Sequence, residues 1–241
     1  MISIVVVLIL LTVLLAKNVL QKKKPARWVF VAIAVCVANL FCMRFVGGVY
    51  NVPSASMEPT LDVGDYIVGV RIGGLLDNGD IKRGDVAVFK APSVPRTLYI
   101  KRVMGRPGDV VEYHQNKSFT VNNIPVGKVI SENDKLLVFQ DQSERTGEDY
   151  EFVIDKSTPF LKSKDKWVIP DDYYFMVGDN RDHSWDGRYW ENPPGTPKHL
   201  RGLIKKDQIE SRYVARLFNF KLFDSYDPLE AELRIIRNNG Y

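Results

Sequence analysis

The chain has 241 residues, of which 26% are charged and 11% aromatic, and this composition excludes an intrinsically disordered protein. The net charge of +4 is small, and part of it is gathered between two apolar runs, which favours a membrane topology signal over nucleic-acid binding. Both cysteines, Cys36 and Cys42, lie within the second run, so a disulfide framework and a thiolate zinc site are excluded from the remainder. The three histidines show no ligand spacing, so we predict no metal and no cofactor.

Two apolar segments open the sequence, and we predict that both cross a membrane. The first covers residues 1–20, with an unbroken apolar stretch at 2–16, and the second covers residues 28–49. About 20 apolar residues span a bilayer as a helix. No charged side chain precedes the first segment, which argues against a cleaved signal peptide, because in such peptides the positive charge comes first.

The loop between these segments, residues 21–27, sets their predicted direction. Five basic residues lie between the two apolar runs, one just before this loop and four in it: Lys17, Lys22, Lys23, Lys24 and Arg27. The positive-inside rule predicts that the loop is cytoplasmic and that residues 50–241 lie on the outer, periplasmic side. The alternative is a soluble protein in which both segments are buried helices. That interpretation requires burial of nearly all helix faces and fits poorly with so polar a remainder.

After residue 50 the pattern changes to short β-branched and aromatic runs beside turn signals. Gly-Asp pairs adjoin four such runs, at residues 64–65, 84–85, 108–109 and 178–179. Further strands are predicted at residues 118–121, 136–140, 150–154, 166–169 and 212–218. We therefore predict a mostly β, antiparallel domain in which the more polar residues of about 112–170 form an insertion. Helical periodicity returns only at residues 226–237.

The stretch VPSASMEPTLDVGDYI carries two serines that could take part in chemistry. Ser54 and Ser56 alternate along an extended segment led by Pro53, so their side chains point the same way. A serine hydroxyl is not reactive at its ordinary pKa and needs a positioned base. Without such a base, a serine that only forms hydrogen bonds in a turn is the plainer interpretation.

The segment LYIKRVMGRPGD supplies a candidate base. If it forms a strand, Tyr99, Lys101 and Val103 share one face. Burial beside an aromatic and a valine would lower the pKa of the Lys101 amine toward the value of roughly 7–8 that a base needs near neutral pH. A solvated lysine on an edge strand is the alternative. A Ser–Lys pair is a known variant of nucleophile and base, and no His–Asp arrangement in the sequence competes with it.

The block VGDNRDHSWDGRYW concentrates polar side chains in a short loop. It places Ser184, Asp186 and Arg188 on alternate positions of the chain. Such density is typical of a hydrogen-bonded support around a site and also of a solvated turn. The residues alone leave both interpretations open.

Taken together, these blocks resemble the bacterial type I signal peptidases, a family of Ser–Lys dyad serine proteases. The family's P-S-x-S-M-x-P-T-L segment, G-D-aromatic strand, Y-I-K-R-V-x-G-x-P-G-D segment and G-D-N-R-D-x-S-x-D-x-R-Y-W loop occur here in that order. They follow two apolar segments, as in Gram-negative members. The resemblance implies an antiparallel, β-barrel-like signal peptidase fold with an inserted subdomain, anchored by two N-terminal transmembrane helices.

The resemblance also implies which matching residues react. Ser56 would be the nucleophile and Lys101 the general base. The Ser54 hydroxyl and the Ser56 main-chain N–H would form the oxyanion hole. Endoproteolysis would then pass through an acyl-enzyme that water hydrolyses.

Other matching residues would support the reacting groups or contact the substrate. Ser184 would orient the Lys101 amine, and Asp186 would pair with Arg188 to hold their loop. Seven residues would line the pockets for small substrate residues at positions −1 and −3: Tyr50, Val52, Pro53, Met57, Leu61, Tyr99 and Ile100. The departures from the family pattern, at His183, Trp185, Gly187 and Glu191, bear on fine specificity and not on the dyad.

The function implied by the resemblance is removal of signal peptides from exported preproteins after small residues at −3 and −1. The protein would be a multi-pass protein of the inner membrane, with its catalytic domain on the periplasmic side. Its partners would be preproteins and membrane lipid, with no nucleic acid. Three alternatives are a specialised pilin or conjugation peptidase, an inactive membrane-bound binding module and a cytoplasmic self-cleaving repressor. The roughly 60 residues of the insertion and the intact Ser–Lys pair count against the first two, and the apolar segments count against the third.

Overall fold

A computed structural model of the chain describes residues 27–41, 46–92, 97–160, 166–190 and 192–219, together with positions 12, 13, 17 and 21. Most of the predicted first transmembrane segment (1–20) and the whole predicted helix at 226–237 lie outside the described residues. Near the start of the described residues lies a 15-residue helix, α1 (Arg27–Phe41). Within the described ranges, no helix is both long and apolar enough to cross a membrane.

Strands make up most of the regular structure that follows α1. They are β1 (Gly47–Asn51), β2 (Asp65–Arg71), β3 (Val86–Lys90), β4 (Leu98–Gly105), β5 (Val110–Tyr113), β6 (Phe119–Val121), β7 (Ile124–Pro125), β8 (Lys128–Glu132), β9 (Leu136–Gln142), β10 (Asp149–Asp155), β11 (Lys166–Val168), β12 (Tyr173–Val177), β13 (Leu203–Lys205) and β14 (Ile209–Asn219). The prediction of a mostly β domain is therefore confirmed. Each strand predicted from a Gly-Asp turn or a β-branched run has a counterpart here.

The second apolar segment gives way to a strand earlier than the sequence analysis predicts. Residues 47–49, predicted as the end of a transmembrane segment, belong to β1. A Cβ on Gly47 would lie 2.0 Å from the carbonyl oxygen of Gly69, on β2. The two backbones can approach this closely only because residue 47 is glycine, so this glycine serves strand pairing.

Seven strands form one antiparallel sheet in the order β1-β2-β14-β3-β4-β12-β13. The sheet is curled, and register shifts in β12 and β14 mark irregular positions of the kind that increase strand twist. The turns before β2 and β3 place Gly64 at φ 91° and Gly84 at φ 90°, a conformation that favours glycine. The Gly-Asp pairs therefore act as the predicted turn signals.

Both faces of the central strands are buried. On β3, Val86 and Val88 pack in one apolar cluster, while Ala87 and Phe89 pack in another on the opposite face. The same division applies to β4, where Ile100 joins the first cluster. Because neither face meets water, these strands read as continuous apolar runs and not as strict alternation.

The predicted insertion of about 112–170 corresponds to two small sheets, ordered β11-β5-β6-β7 and β10-β9-β8. The expected boundary at residue 112 falls inside β5, so the inserted region begins before the sequence becomes more polar. Phe119 and Trp167 of the small sheets share one apolar cluster with Met104 and Phe175 of the large sheet. The insertion is therefore packed into the main core, because its own strands bury their apolar side chains against it.

Candidate active site

The predicted nucleophile and base lie in contact. Ser56 is in a 3₁₀ turn, Ala55–Met57, that follows β1, and Lys101 is in the middle of β4. Their side chains are 7% and 5% exposed, and the Lys101 Nζ atom lies 2.6 Å from Ser56 Oγ. The fold thus joins two residues that are 45 positions apart in the sequence.

The surroundings of the Lys101 amine favour its neutral form. The face predicted from alternation is confirmed, because Lys101 lies opposite Ala87, and the Tyr99 ring centroid is 5.7 Å from Nζ. Burial lowers the pKa of Lys101 from its ordinary 10.5 to about 8, although the charges of Asp186 and Asp179 act to raise it. An amine with this pKa is partly neutral under mildly basic conditions and can accept a proton.

Ser54 lies beside the reactive pair. Its Oγ atom is 3.3 Å from Ser56 Oγ, and its side chain is exposed to the cleft. The backbone of Ser54 is extended, with φ −142° and ψ 156°. The Ser54 hydroxyl therefore lies in the cleft beside the Ser56 hydroxyl.

The loop after β12 holds the backbone of the nucleophile turn. The Asn180 main-chain N–H donates to the Ser56 carbonyl oxygen at 3.2 Å, and its side-chain amide donates to the Ala55 carbonyl oxygen at 3.2 Å. A Cβ on Gly178 would lie 2.4 Å from the same Ser56 oxygen. The close fit between this loop and the turn therefore requires glycine at position 178.

Asp186 and Arg188 form the ion pair expected from the resemblance. Two hydrogen bonds of 2.8 Å join the Arg188 guanidinium to the two carboxylate oxygens, and both side chains are fully buried. The Gly178 main-chain N–H donates a further bond of 3.0 Å to Asp186. Burial acts to raise the pKa of Asp186, but the charge and hydrogen bonds of Arg188 outweigh it and hold that pKa below its usual value.

Ser184 is near the reactive pair but is not bonded to the Lys101 amine. Its hydroxyl is buried and interacts with the Asp186 carboxylate, where it helps to lower the pKa of Asp186. The hydrogen bonds of Lys101 Nζ go to Ser56 Oγ and to the Ile100 carbonyl oxygen, at 2.6 and 3.1 Å. The predicted orienting role of Ser184 is not visible as a contact in this structure and stays a prediction.

The reactive pair opens into a cleft of about 430 Å³. Five of the seven predicted substrate-contacting residues line it: Val52, Pro53, Met57, Tyr99 and Ile100. Thr97, Leu98, His183 and Trp185 also line it. Two of the loop residues that depart from the family pattern, His183 and Trp185, thus form part of the cleft wall, and the Trp185 side chain is 55% exposed.

The other two predicted pocket residues are not among those that line the cleft. Leu61 is fully buried in the apolar cluster beneath it. Tyr50 packs against that cluster and forms a 2.7 Å hydrogen bond between its hydroxyl and Ser211 Oγ. In this structure both residues support the cleft floor from behind.

A second buried ion pair was missed in the sequence analysis. The Arg102 guanidinium donates to both carboxylate oxygens of Asp179, at 2.8 and 2.6 Å, and the Thr60 hydroxyl donates to Asp179 at 2.6 Å. Each of the three residues lies in one of the sequence blocks, and Arg102 directly follows Lys101. That proximity was the available signal, but the pairing joins residues 77 positions apart.

The described part of the chain contains no group of three or more His, Cys, Asp or Glu side chains that could hold a metal ion. The arrangement that is present consists of a buried hydroxyl, a buried amine of lowered pKa, a second hydroxyl and two supporting ion pairs. These groups are suited to nucleophilic attack by serine with lysine as the base.

Three bacterial proteins named signal peptidase I are similar to this chain in sequence. Signal peptidase I of Pseudomonas aeruginosa is 39% identical over 183 residues, which cover 69% of this chain and 63% of that protein. Signal peptidase I of Pseudomonas fluorescens is 38% identical over 179 residues, with the same two coverages. The protein of the same name from Aquifex aeolicus is 31% identical over 237 residues, covering 82% of this chain and 85% of that one.

The chain thus spans 63% of the length of the two Pseudomonas relatives. A solved signal peptidase I structure from Enterococcus faecalis V583 aligns over 56% of this chain and 97% of that chain, at 23% identity and a TM-score of 0.33. The family described as signal peptidase, peptidase S26, matches residues 25–218. Because that match covers most of the sequence, the chain belongs to this family.

Proposed function

We propose that the protein is a type I signal peptidase, a serine endopeptidase that removes signal peptides from exported preproteins. The observation that carries the proposal is the buried 2.6 Å contact between Lys101 Nζ and Ser56 Oγ, with the Lys101 pKa lowered to about 8. Membership of the signal peptidase family supports the substrate class. An inactive binding module has no need of a desolvated lysine, whose burial is costly.

The geometry supports a mechanism in two stages. Neutral Lys101 takes the Ser56 proton as Ser56 Oγ bonds to the substrate carbonyl carbon, and the carbonyl oxygen becomes an oxyanion. The Ser56 main-chain N–H and the Ser54 hydroxyl donate to that oxyanion. Lys101 then gives its proton to the departing amine as the C–N bond breaks, which leaves an acyl-enzyme and the new N-terminus of the mature protein.

Water completes the second stage. Lys101, neutral again, takes a proton from water as the water oxygen attacks the acyl carbon. The same proton then passes to Ser56 Oγ as the ester bond breaks and the carboxylic acid of the signal peptide leaves. Each stage returns Lys101 to its starting state. The Asp186–Arg188 and Arg102–Asp179 pairs take no part in the bond changes; they hold the loops around Lys101, and their charges act on its pKa.

The cleft supports a preference for small side chains beside the cut bond. Val52, Met57 and Ile100 present apolar groups close to Ser56, and both Val52 and Met57 are almost fully buried. A pocket with such walls holds a small side chain and excludes a large one, because core packing tolerates little added volume. We therefore assign substrates with small residues at positions −1 and −3.

Membrane anchorage through two N-terminal helices is part of the same proposal. Apolar side chains of α1 are exposed at 50% or more: Trp28, Phe30, Val31, Val35, Val37 and Phe41. A helix that exposes large apolar side chains in this way is suited to lipid. With the basic loop in the cytoplasm, the catalytic domain lies on the periplasmic side of the inner membrane, where preproteins and lipid are its partners.

The test is cleavage of a purified preprotein by detergent-solubilised protein. Wild type should release the mature protein at one site after a small residue, and Ser56→Ala should release none while keeping the unfolding midpoint. Substantial turnover by Ser56→Ala would refute the dyad. Folded wild type that cleaves neither a preprotein nor a peptide spanning its cleavage site would refute the proposed function.

A further inference from the structure

The inserted small sheets contact the catalytic loop directly through strand β10. The Val153 main-chain N–H donates to the Asp179 carbonyl oxygen at 2.9 Å, and Val153 forms an isolated parallel bridge with Asn180. Further along β10, the Asp155 N–H donates to the Asp182 carboxylate at 2.8 Å. One edge of β10 therefore pairs with β9, and the other lies against the loop that follows β12.

A side chain of β10 also reaches the ion pair beneath that loop. The Tyr150 ring centroid lies 3.7 Å from the guanidinium carbon of Arg102, which is the distance of a close cation–π stack. The Tyr150 hydroxyl donates to Asp141, on β9, at 2.9 Å, so the ring is held at both ends. Arg102 in turn binds both carboxylate oxygens of Asp179.

The opposite side of the same loop touches the nucleophile turn. Asn180 donates to the carbonyl oxygens of Ser56 and Ala55, each at 3.2 Å. Residues 179 and 180 therefore lie between β10 on one side and the nucleophile turn on the other. A displacement of the loop away from the nucleophile is opposed by β10.

We propose that β10 is a positioning strand for the nucleophile and that Tyr150 is its key positioning residue. The Tyr150 ring fixes Arg102, Arg102 fixes Asp179, and the neighbouring Asn180 then holds the Ser56 backbone at the distance from Lys101 that catalysis needs. This inference rests on the proposed function. Tyr150 is not among the residues that line the cleft, so its effect should fall on the chemical step and not on substrate binding.

The test compares Tyr150→Leu with a matched control, Phe139→Leu. Phe139 lies on β9 and, like Tyr150, is half-buried against the apolar cluster that contains Phe119 and Phe175. Its ring stacks on that of Phe152 at a centroid distance of 4.9 Å. The Phe139→Leu variant therefore loses an aromatic contact of similar size, but not one to Arg102. Steady-state kcat and KM are measured with a peptide substrate at one temperature at which all variants are folded.

Tyr150→Leu should lower kcat about 10- to 100-fold, the loss typical of a reacting group displaced by about 1 Å, while KM stays within about threefold. Tyr150→Phe keeps the ring and should stay within about threefold of wild type in both constants. Phe139→Leu should keep the wild-type kcat. If Tyr150→Leu does not fold, Tyr150→Met, which keeps the packing volume without a ring face, takes its place with the same expected loss.

Hydrogen–deuterium exchange of the peptide covering residues 178–184 gives a readout that does not depend on cleavage. Faster exchange there in Tyr150→Leu, and not in Phe139→Leu, supports the positioning role even if no substrate is cleaved. An unchanged kcat in Tyr150→Leu overturns the proposal, as does an equal loss in Phe139→Leu. Failure of folded wild type to cleave would instead count against the proposed function.

Discussion

Replacing Lys101 by methionine should stabilise the folded protein at neutral pH and abolish cleavage. Methionine has a similar length and no charge, so it fills the site without the desolvation that burial of an ammonium group requires. A pKa lowered from 10.5 to about 8 corresponds to about 3 kcal/mol of unfolding free energy. Lys101→Met should therefore gain up to about 3 kcal/mol relative to wild type at pH 7.

This gain should depend on pH with a definite sign. Since the folded-state pKa of Lys101 is depressed, the folded protein binds fewer protons than the unfolded chain between pH 8 and pH 10.5. Wild-type stability is thus fully penalised below about pH 8, and the penalty is relieved as pH rises through that window. The difference between Lys101→Met and wild type should shrink by about 3 kcal/mol between pH 7 and pH 10.5.

The activity of the wild-type protein should follow the same titration. Only neutral Lys101 can accept the Ser56 proton, so kcat/KM should fall about tenfold for each pH unit below the pKa of about 8. The apparent pKa belongs to the Ser56–Lys101 pair as a unit, because the two groups are in direct contact. The profile should be level above about pH 9.

The assay is chemical denaturation of detergent-solubilised protein from pH 7 to pH 10.5, with kcat/KM measured in parallel on a peptide. Lys90→Met is the matched control, because Lys90 is a strand lysine whose side chain is 51% exposed. A stability difference for Lys101→Met that does not change with pH would refute the buried-amine reasoning. Near-normal turnover by that variant would refute the lysine-base mechanism as well.

Two further predictions concern the loop around the reactive pair. Arg188→Leu should lower the unfolding free energy by about 3–5 kcal/mol, because it leaves the Asp186 carboxylate buried and unpaired. Chemical denaturation measures the loss, and a variant as stable and as active as wild type would contradict the prediction. Ser184→Ala should lower kcat about tenfold without abolishing cleavage, since Ser184 would orient the base and not react. An unchanged kcat would remove that assignment.

The strands could be predicted because their signals are local, whereas the pairing of Ser56 with Lys101 came from the family resemblance. Gly-Asp turns precede β2 and β3, and the alternation around Lys101 placed Tyr99 and Lys101 on one face, as the structure has them. The short strands β7, β8 and β13 were not predicted. β7 has two exposed residues and β8 is largely exposed, so neither carries the apolar pattern by which a strand is recognised.

The supporting contacts of the site could not be predicted, because they join distant segments. Nothing in one sequence indicates that Arg102 pairs with Asp179, 77 positions away, or that Val153 of the insertion pairs with Asn180. The pocket assignments of Tyr50 and Leu61 came from the family resemblance. Local pattern gives neither the depth of a side chain nor which side of a cluster faces the cleft.

Gly178 provides the sharpest test of how closely the loop and the nucleophile fit. A Cβ at this position would lie 2.3 Å from Ser184 Oγ and 2.4 Å from the Ser56 carbonyl oxygen. The Ser184 hydroxyl can rotate away, but the Ser184 Cβ, at 2.6 Å, and the Ser56 carbonyl oxygen cannot. The clash is therefore relieved only by a backbone shift that separates the loop from the nucleophile turn. Gly178→Ala should therefore lower kcat at least about 100-fold while costing about 1–3 kcal/mol of stability.

Gly105→Ala is the matched control for this change. Its Cβ would lie 2.3 Å from Ile169 Cδ1 and 2.6 Å from Val111 Cγ2, a comparable clash that involves only apolar side chains away from Ser56. It should lose similar stability and keep kcat within about threefold at a temperature where both variants are folded. Equal losses of kcat in the two variants would mean that overpacking anywhere in this core disables the site. Loss confined to Gly178→Ala would mean that the position of the Ser56 backbone itself limits the rate.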